Sequence, residues 1–282
     1  KLIQEQKELK DNKKQMKIKS ILLILLLSTV IFSCDNNRNG NDENFDAAAQ
    51  ALIDDEALVE YLQTHYLNEE DGAIWTIENG EEAIINNVEE QEIIKDDITY
   101  TLYYLNKNIG VGASPKEPDS VLVTYAGMTL DSVVFDSRNS LTWFSLTGLV
   151  SGWSYGLINF NGGTKVIEAD ESFKYENSGD GYIFFPSGLG YGNVPQSVIP
   201  ENSPLIFKIE LNDVNPSDHD NDGVLSYLED INEDGDVKND DSDEDSIPDY
   251  LDIDDDGDGI LTKDELGDEN GDGIADYLDP EN

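Results

Sequence analysis

Val121, Val123 and Tyr125 alternate with Leu122 and Thr124, and Ile206, Ile209 and Leu211 mark a second β-rich run. Gly127, Gly190 and Gly192 break such runs where a turn or a close backbone approach is needed. Between the runs, Trp153, Leu157 and Phe160 recur at helical spacing within Gly152–Phe160, so one apolar stripe can face a sheet. The pattern predicts an α+β fold: an antiparallel sheet with a single short helix laid across it. Upstream, Ala47–Leu67 has helical character, with Leu52, Leu58, Leu62 and Tyr66 on a broad apolar face. Ile98–Leu105 reads as a strand and Val111–Pro118 as a loop.

The N-terminal stretch has a different pattern. Met16 opens MKIKSILLILLLSTVIFSC, in which Lys17 and Lys19 precede the apolar run Ile21–Phe32. A run of about 12 residues is shorter than the roughly 20 that span a bilayer, and it reads as the core of a signal peptide. Its ending, Ile31-Phe32-Ser33-Cys34, resembles a bacterial lipoprotein cleavage site. That resemblance implies that Cys34 becomes a lipid-bearing N-terminus in the envelope of a Gram-negative bacterium. A lone cysteine forms no internal disulfide, so other staples are required after export. Residues 1–15 read as the result of an upstream start, and Asp35–Asn44 as a polar tether.

Charge divides the chain again. The 282 residues carry a formal net charge of −44, from 61 acidic against 17 basic side chains. From Asp218 to the end, 27 acidic residues face only Lys238 and Lys263. Such a run is ordinarily a solvated, disordered tail, but here the spacing repeats. Asp218, Asp220, Asp222 and Gly223, followed by Ser226 and Glu229, fit the calcium loop D-x-D-x-D-G-x₅-E. Asp254, Asp256, Asp258, Gly259, Thr262 and Glu265 fit it again, and Asp268, Asn270, Asp272, Gly273, Asp276 and Asp279 give a third match. Asp241, Asp243, Asp245, Asp249 and Asp252 form a fourth without the central glycine, and Asp230–Asp241 a degenerate fifth. Alternate carboxylates turned toward one hard cation, with oxygen ligands alone, favour calcium over zinc or copper. The loops are nearly contiguous and leave no room for EF-hand helices. Stretches such as DSDEDSIPDYLDIDDDGDGI resemble thrombospondin type-3 repeats, which implies a chain wrapped around a row of structural calcium ions.

Tyr125, Phe135, Trp153, Tyr191 and Phe207 are more large aromatics than one small core usually needs. They are either core packing or the wall of a concave apolar site. Three ordered fragments bear on this choice: Val121–Ser137 (VLVTYAGMTLDSVVFDS), Gly148–Leu157 (GLVSGWSYGL) and Phe185–Leu211 (FPSGLGYGNVPQSVIPENSPLIFKIEL). Together they resemble the FKBP-type peptidyl-prolyl isomerases over residues 118–214. The resemblance implies a sheet wrapped around one short helix and a pocket of Tyr125, Phe135, Asp136, Val150, Trp153, Tyr191, Ile199 and Phe207. It also implies that Trp153 floors the proline ring, that Tyr191 offers its hydroxyl to the substrate carbonyl, and that Asp136 sets the polar edge. Thr142, beside Trp143, stands where the family often has a bulky apolar residue. Val166–Gly181 is a longer, acidic run that reads as an inserted hairpin or loop, and Asn193–Val198 is slightly short.

The acidic balance repels a phosphate backbone and argues against a nucleic-acid partner. Gly110-Val111-Gly112 is not a phosphate site, because no βαβ unit surrounds it. His65 and His219 lie near no nucleophile-like motif. The chain is expected to divide into an upstream extension and signal peptide (1–34), a tether and N-terminal extension (35–117), the isomerase domain (118–214) and the acidic calcium repeats (215–282). The expected function is isomerisation of X–Pro bonds in exported or surface proteins, needing no cofactor for catalysis. Two alternatives remain open: a non-catalytic chaperone that binds proline segments, and a calcium-dependent surface adhesion or spacer protein.

Overall fold

Successive residues of the central strands feed two different hydrophobic clusters, one on each face of a single sheet. In a computed structural model that describes residues 45–280, helix α1 (Ala47–Thr64) leads into a small hairpin of β1 (His65–Leu67) and β2 (Ile74–Thr76). Then follow β3 (Glu89–Lys95), β4 (Ile98–Asn108), β5 (Ser120–Thr129), β6 (Val134–Ser145), helix α2 (Ser151–Leu157), β7 (Thr164–Ile167), β8 (Phe173–Glu176), β9 (Gly179–Phe185) and β10 (Leu205–Asn215). The main sheet has the order β3-β4-β9-β10-β5-β6, and all its pairings are antiparallel. The signal segment, Cys34 and the Asp35–Asn44 tether lie outside the described residues.

One face meets α2. Leu205, Phe207 and Ile209 of β10 and Ile183 and Phe185 of β9 pack there with Trp153 and Leu157. The helix lies very close to the sheet. A Cβ on Gly152 would stand 2.5 Å from the Phe185 ring, and one on Gly156 would stand 2.6 Å from Ile183. Glycine at these two positions, one turn apart, lets so short a helix bury its full apolar side.

The other face meets α1. Leu58, Tyr61 and Leu62 pack against Tyr103 and Leu105 of β4, Tyr182 and Phe184 of β9, and Ile206 of β10. Asp46 caps the helix by accepting a 2.9 Å hydrogen bond from the Ala49 amide. The expected apolar face is corrected in part. Leu52 is 70% exposed, whereas Asp54 lies at the centre of the buried stripe. Tyr66 falls in β1, beyond the end of the helix at Thr64. Asp54 is buried because its Oδ2 accepts from both the Ser187 amide (2.8 Å) and the Ser187 hydroxyl (2.6 Å), while Gln50 donates to Oδ1 at 2.7 Å.

Asp54 therefore ties α1 to the turn that carries Tyr191. Asp54→Ala is expected to lower stability by about 2–4 kcal/mol, because two buried donors on Ser187 lose their acceptor. A fall in the urea midpoint at unchanged slope would show this.

The Val166–Gly181 insertion forms a hairpin. Strands β7 and β8 pair with each other alone, and Tyr175 donates to Asp213 of β10 at 2.7 Å. Strand β4 covers the Ile98–Leu105 strand that the sequence predicts, and it sits inside the main sheet with β3 outside it. The boundary expected at residue 118 thus crosses the sheet. Among the described residues, no helix is long and apolar enough to cross a membrane.

Candidate functional site

A cavity of about 320 Å³ opens beside the start of α2. Tyr125 comes from β5, Phe135 and Asp136 from β6, Phe207 from β10, Tyr191 from the turn after β9, and Val150 and Trp153 from the entry to α2. Trp153, 4% exposed, forms the floor, with its ring edge-on to Tyr125 (5.1 Å between centroids) and to Phe207 (5.2 Å). A Cβ on Gly127 would lie 2.6 Å from Phe207 and 2.7 Å from Phe135, so glycine there lets both rings stand at the wall.

The polar edge is one linked pair. The Tyr125 hydroxyl donates to Asp136 Oδ2 at 2.5 Å, and Asp136 Oδ1 accepts from the Ser137 amide at 2.8 Å. Burial, and then the hydrogen bond to Asp136, push Tyr125 up to about 12, so it remains a donor at neutral pH. Arg138 stands 3.7 Å from Asp136, in an exposed ion pair that contributes little. Tyr191 sits at the mouth.

Seven of the eight residues expected at this site line the cavity. Ile199 does not: it is buried in the core, and its amide donates to the Gln196 carbonyl. Phe144, Gly148 and Leu149 also line the cavity and were not anticipated. Phe144 is the next apolar position after Thr142 on the same face of β6, which is the signal that could have found it.

The tail repeats one backbone conformation five times. The fourth and sixth residues of each twelve-residue loop have positive φ: Asn221 and Gly223, Glu233 and Gly235, Glu244 and Ser246, Gly257 and Gly259, Gly271 and Gly273. The seventh amide donates to the fifth carboxylate at 2.7–2.9 Å in every loop, from Val224 to Asp222 through Ile274 to Asp272. The loop lacking a central glycine and the degenerate one conform like the rest, with Ser246 taking the left-handed position. In four loops the ninth residue (Ser226, Asp249, Thr262, Asp276) is fully buried and accepts from the amide of the second. It closes the loop.

The carboxylates converge unevenly. One oxygen from each of Asp254, Asp256, Asp258 and Glu265 lies within 4.8 Å of the others, and Asp241, Asp243 and Asp245 form a similar set. Asp220, Asp222 and Glu229 gather with Asp255, which belongs to another loop. Asp218 stands outside that set and accepts from the Gly223 amide at 3.3 Å. Asp252 accepts from the Asp254 amide. Asp268, Asp272 and Asp279 do not converge to that distance, and Asn270 donates to Asp279 at 2.9 Å. Burial first, and then repulsion from neighbouring carboxylates, push Glu229 up to about 9, Asp255 to about 8, and Asp220 and Glu265 to about 7.

Tail and sheet are joined closely. The Ser217 amide donates to buried Asp119 at 3.2 Å, and Lys238 Nζ donates to the Thr147 carbonyl at 2.8 Å. His219 lies at this joint, near Ser145 and Ser226 and edge-on to Tyr250. Leu149 borders both the aromatic cavity and the concavity that Tyr155 forms with Gly235–Lys238.

Residues 112–212 match the family model described as FKBP-type peptidyl-prolyl cis-trans isomerase, and residues 219–277 match the one described as BamM C-terminal. The FKBP-type peptidyl-prolyl cis-trans isomerase FkpA of Escherichia coli K12 is 34% identical over 119 residues, covering 41% of this chain and 38% of that protein. Outer membrane protein MIP of Legionella longbeachae is 32% identical over 116 residues, covering 39% of this chain and 42% of that protein. The crystal structure of FkpA from Escherichia coli gives a TM-score of 0.37 at 27% identity, covering 60% of this chain and 63% of that one. The chain thus spans well under half the length of these two curated relatives.

Proposed function

We propose that this chain is an FKBP-type peptidyl-prolyl cis-trans isomerase acting on X–Pro bonds of exported or surface proteins. It is held to the envelope of a Gram-negative bacterium by lipid on Cys34 and carries structural calcium in its tail. The observation that carries the reading is the aromatic cavity floored by Trp153, with a single polar edge at Asp136.

Rotation about an X–Pro bond faces a barrier of about 18–20 kcal/mol and takes tens to hundreds of seconds uncatalysed. No bond breaks, so the chemistry needs no nucleophile, metal or general base. The twisted amide has lost resonance and is less polar than the planar one, so apolar walls favour it relative to water. Trp153 supports the proline ring. Tyr191 at the mouth offers its hydroxyl to the substrate carbonyl, and Asp136, held by Tyr125, keeps one side polar. The combined change Asp136→Ala and Tyr191→Phe is expected to lower kcat/KM on a Leu–Pro peptide by about tenfold or more. Unchanged activity would overturn the assignment of roles. A folded wild-type protein without activity would instead favour a proline-binding chaperone.

In the tail, the donor set is oxygen alone and suits a hard cation. Buried carboxylate oxygens of Asp220, Asp222, Glu229, Asp254, Asp256 and Glu265 have no hydrogen-bond partner among the described residues, as ligand atoms for calcium require. Calcium supplies the positive charge around which each loop folds. Because Glu229 and Asp255 are raised above neutrality, the metal-free fold holds protons there at pH 7. Raised carboxylates favour that fold at low pH, and the contribution is lost as pH climbs through about 8–9. Calcium binding at pH 7 is therefore expected to release protons, and to release fewer as pH rises. Calorimetry in buffers of different ionisation enthalpy measures that release.

The envelope placement draws on the signal-peptide pattern ending at Cys34, and on the relative described as an outer membrane protein.

A further inference from the structure

Asp255 is the second residue of Asp254–Glu265, the fourth loop in chain order after Asp218–Glu229, Asp230–Asp241 and Asp241–Asp252, and the twelve-residue calcium pattern does not use the side chain at that position. It is nevertheless only 1% exposed, and neither of its carboxylate oxygens has a hydrogen-bond partner among the described residues. It also points away from its own loop. Asp254, Asp256, Asp258 and Glu265 converge on one another, whereas Asp255 converges with Asp220, Asp222 and Glu229 of the first loop. Glu229 is fully buried, and both of its oxygens are likewise without a partner.

Building on the calcium reading of the tail, we propose that Asp255 completes the first loop's site. One hard divalent cation of the calcium class is held by Asp220, Asp222 and Glu229 from the first loop and by Asp255 from the fourth. Oxygens 2.3–2.6 Å from a common calcium ion lie at most about 5 Å apart. The four oxygens here are mutually within 4.8 Å. Four carboxylates gathered away from water repel strongly, and each isolated buried charge costs several kcal/mol unless something positive compensates it. A dication does so for all four at once.

The alternation along Asp254-Asp255-Asp256 then has a physical meaning. The outer two residues serve the fourth loop's own ion, and the middle one serves the first loop's. The cation cross-links loops separated by the second and third, so the tail closes on itself and does not run as independent beads. Since Ser217, just before the first loop, is bound to Asp119 next to β5, the same ion anchors the distal half of the tail to the sheet.

The test uses the chain from Asp35 onward, which retains every described residue, and follows amide resonances by NMR during calcium titration. In the wild type, the Gly223 and Gly259 amides are expected to report the first and fourth loops separately. Asp255→Asn should raise the calcium midpoint at Gly223 by at least about tenfold and leave that at Gly259 within about twofold. Glu229→Gln should likewise weaken the response of the Asp255 amide. An unchanged Gly223 midpoint in Asp255→Asn overturns the cross-link, as does an equal shift at both glycines with the sheet resonances in place. If neither glycine of the wild type responds to calcium, the calcium reading of the tail falls, and the cross-link with it.

Discussion

Trp153→Ala is expected to lower kcat/KM toward a Leu–Pro peptide by about ten- to a hundredfold. Burying an apolar ring the size of proline contributes about 1.5–3 kcal/mol, and the indole floor supplies much of that surface. The same change removes the ring edges that meet Tyr125, Phe144 and Phe207, so it should also cost about 3–5 kcal/mol of stability. Trp153→Phe separates the two effects, because it keeps an aromatic floor and most of the packing. Activity in the phenylalanine variant should lie between those of the alanine variant and the wild type. A folded alanine variant that catalyses at the wild-type rate would put the proline somewhere other than over residue 153.

Calcium withdrawal is expected to have the largest structural effect. With 27 acidic residues against two lysines from Asp218 onward, the tail has no means of neutralising itself. Its amides are protected chiefly by bonds to carboxylates in the loops, such as Val224 to Asp222 and Ile260 to Asp258. Chelation should lower hydrogen-exchange protection at Val224, Ile247, Ile260 and Ile274 by about a hundredfold or more, or about 2.7 kcal/mol of local stability. Amides of β9 and β10 should keep their protection, because two apolar clusters hold those strands from both faces. Loss of protection throughout the sheet would mean that the tail is part of the cooperative core. No loss in the tail would mean that its loops stand without a cation.

Much of the aromatic cavity was legible because its residues sit in short ordered fragments of strand, turn and helix start. Tyr125, Phe135, Asp136, Val150, Trp153, Tyr191 and Phe207 all reach the lining. Ile199 fills the core beneath it, since the Gln196–Ile199 bridge turns it inward, a local turn detail that residue type alone does not carry. The apolar face of α1 was harder to read. Asp54 looks like a solvent-facing residue by composition, yet its bonds to Ser187 place it at the centre of the buried stripe and turn Leu52 outward. Strand β3 (EEQEIIK) has mostly outward polar residues at a sheet edge, so alternation gives little signal.

In the tail the loops were legible as spacing, including the one with Ser246 in place of glycine. The gathering of Asp255 with Asp220, Asp222 and Glu229 was not, because it depends on how one loop folds back upon another. The closeness of tail and cavity has the same origin. Leu149 borders both concavities only because Gly235–Lys238 packs beside the entry to α2.

Prolyl cis/trans exchange on a Leu–Pro peptide, measured on the chain from Asp35 onward with calcium and then with chelator, tests the central claim most directly. Acceleration well above the uncatalysed rate is expected with calcium. Most of it should persist with chelator, since the cavity walls come from the sheet, the turn after β9 and the entry to α2, and only Leu149 is shared with the tail junction. No acceleration in either condition, with the sheet shown folded by its amide protection, would contradict the isomerase reading.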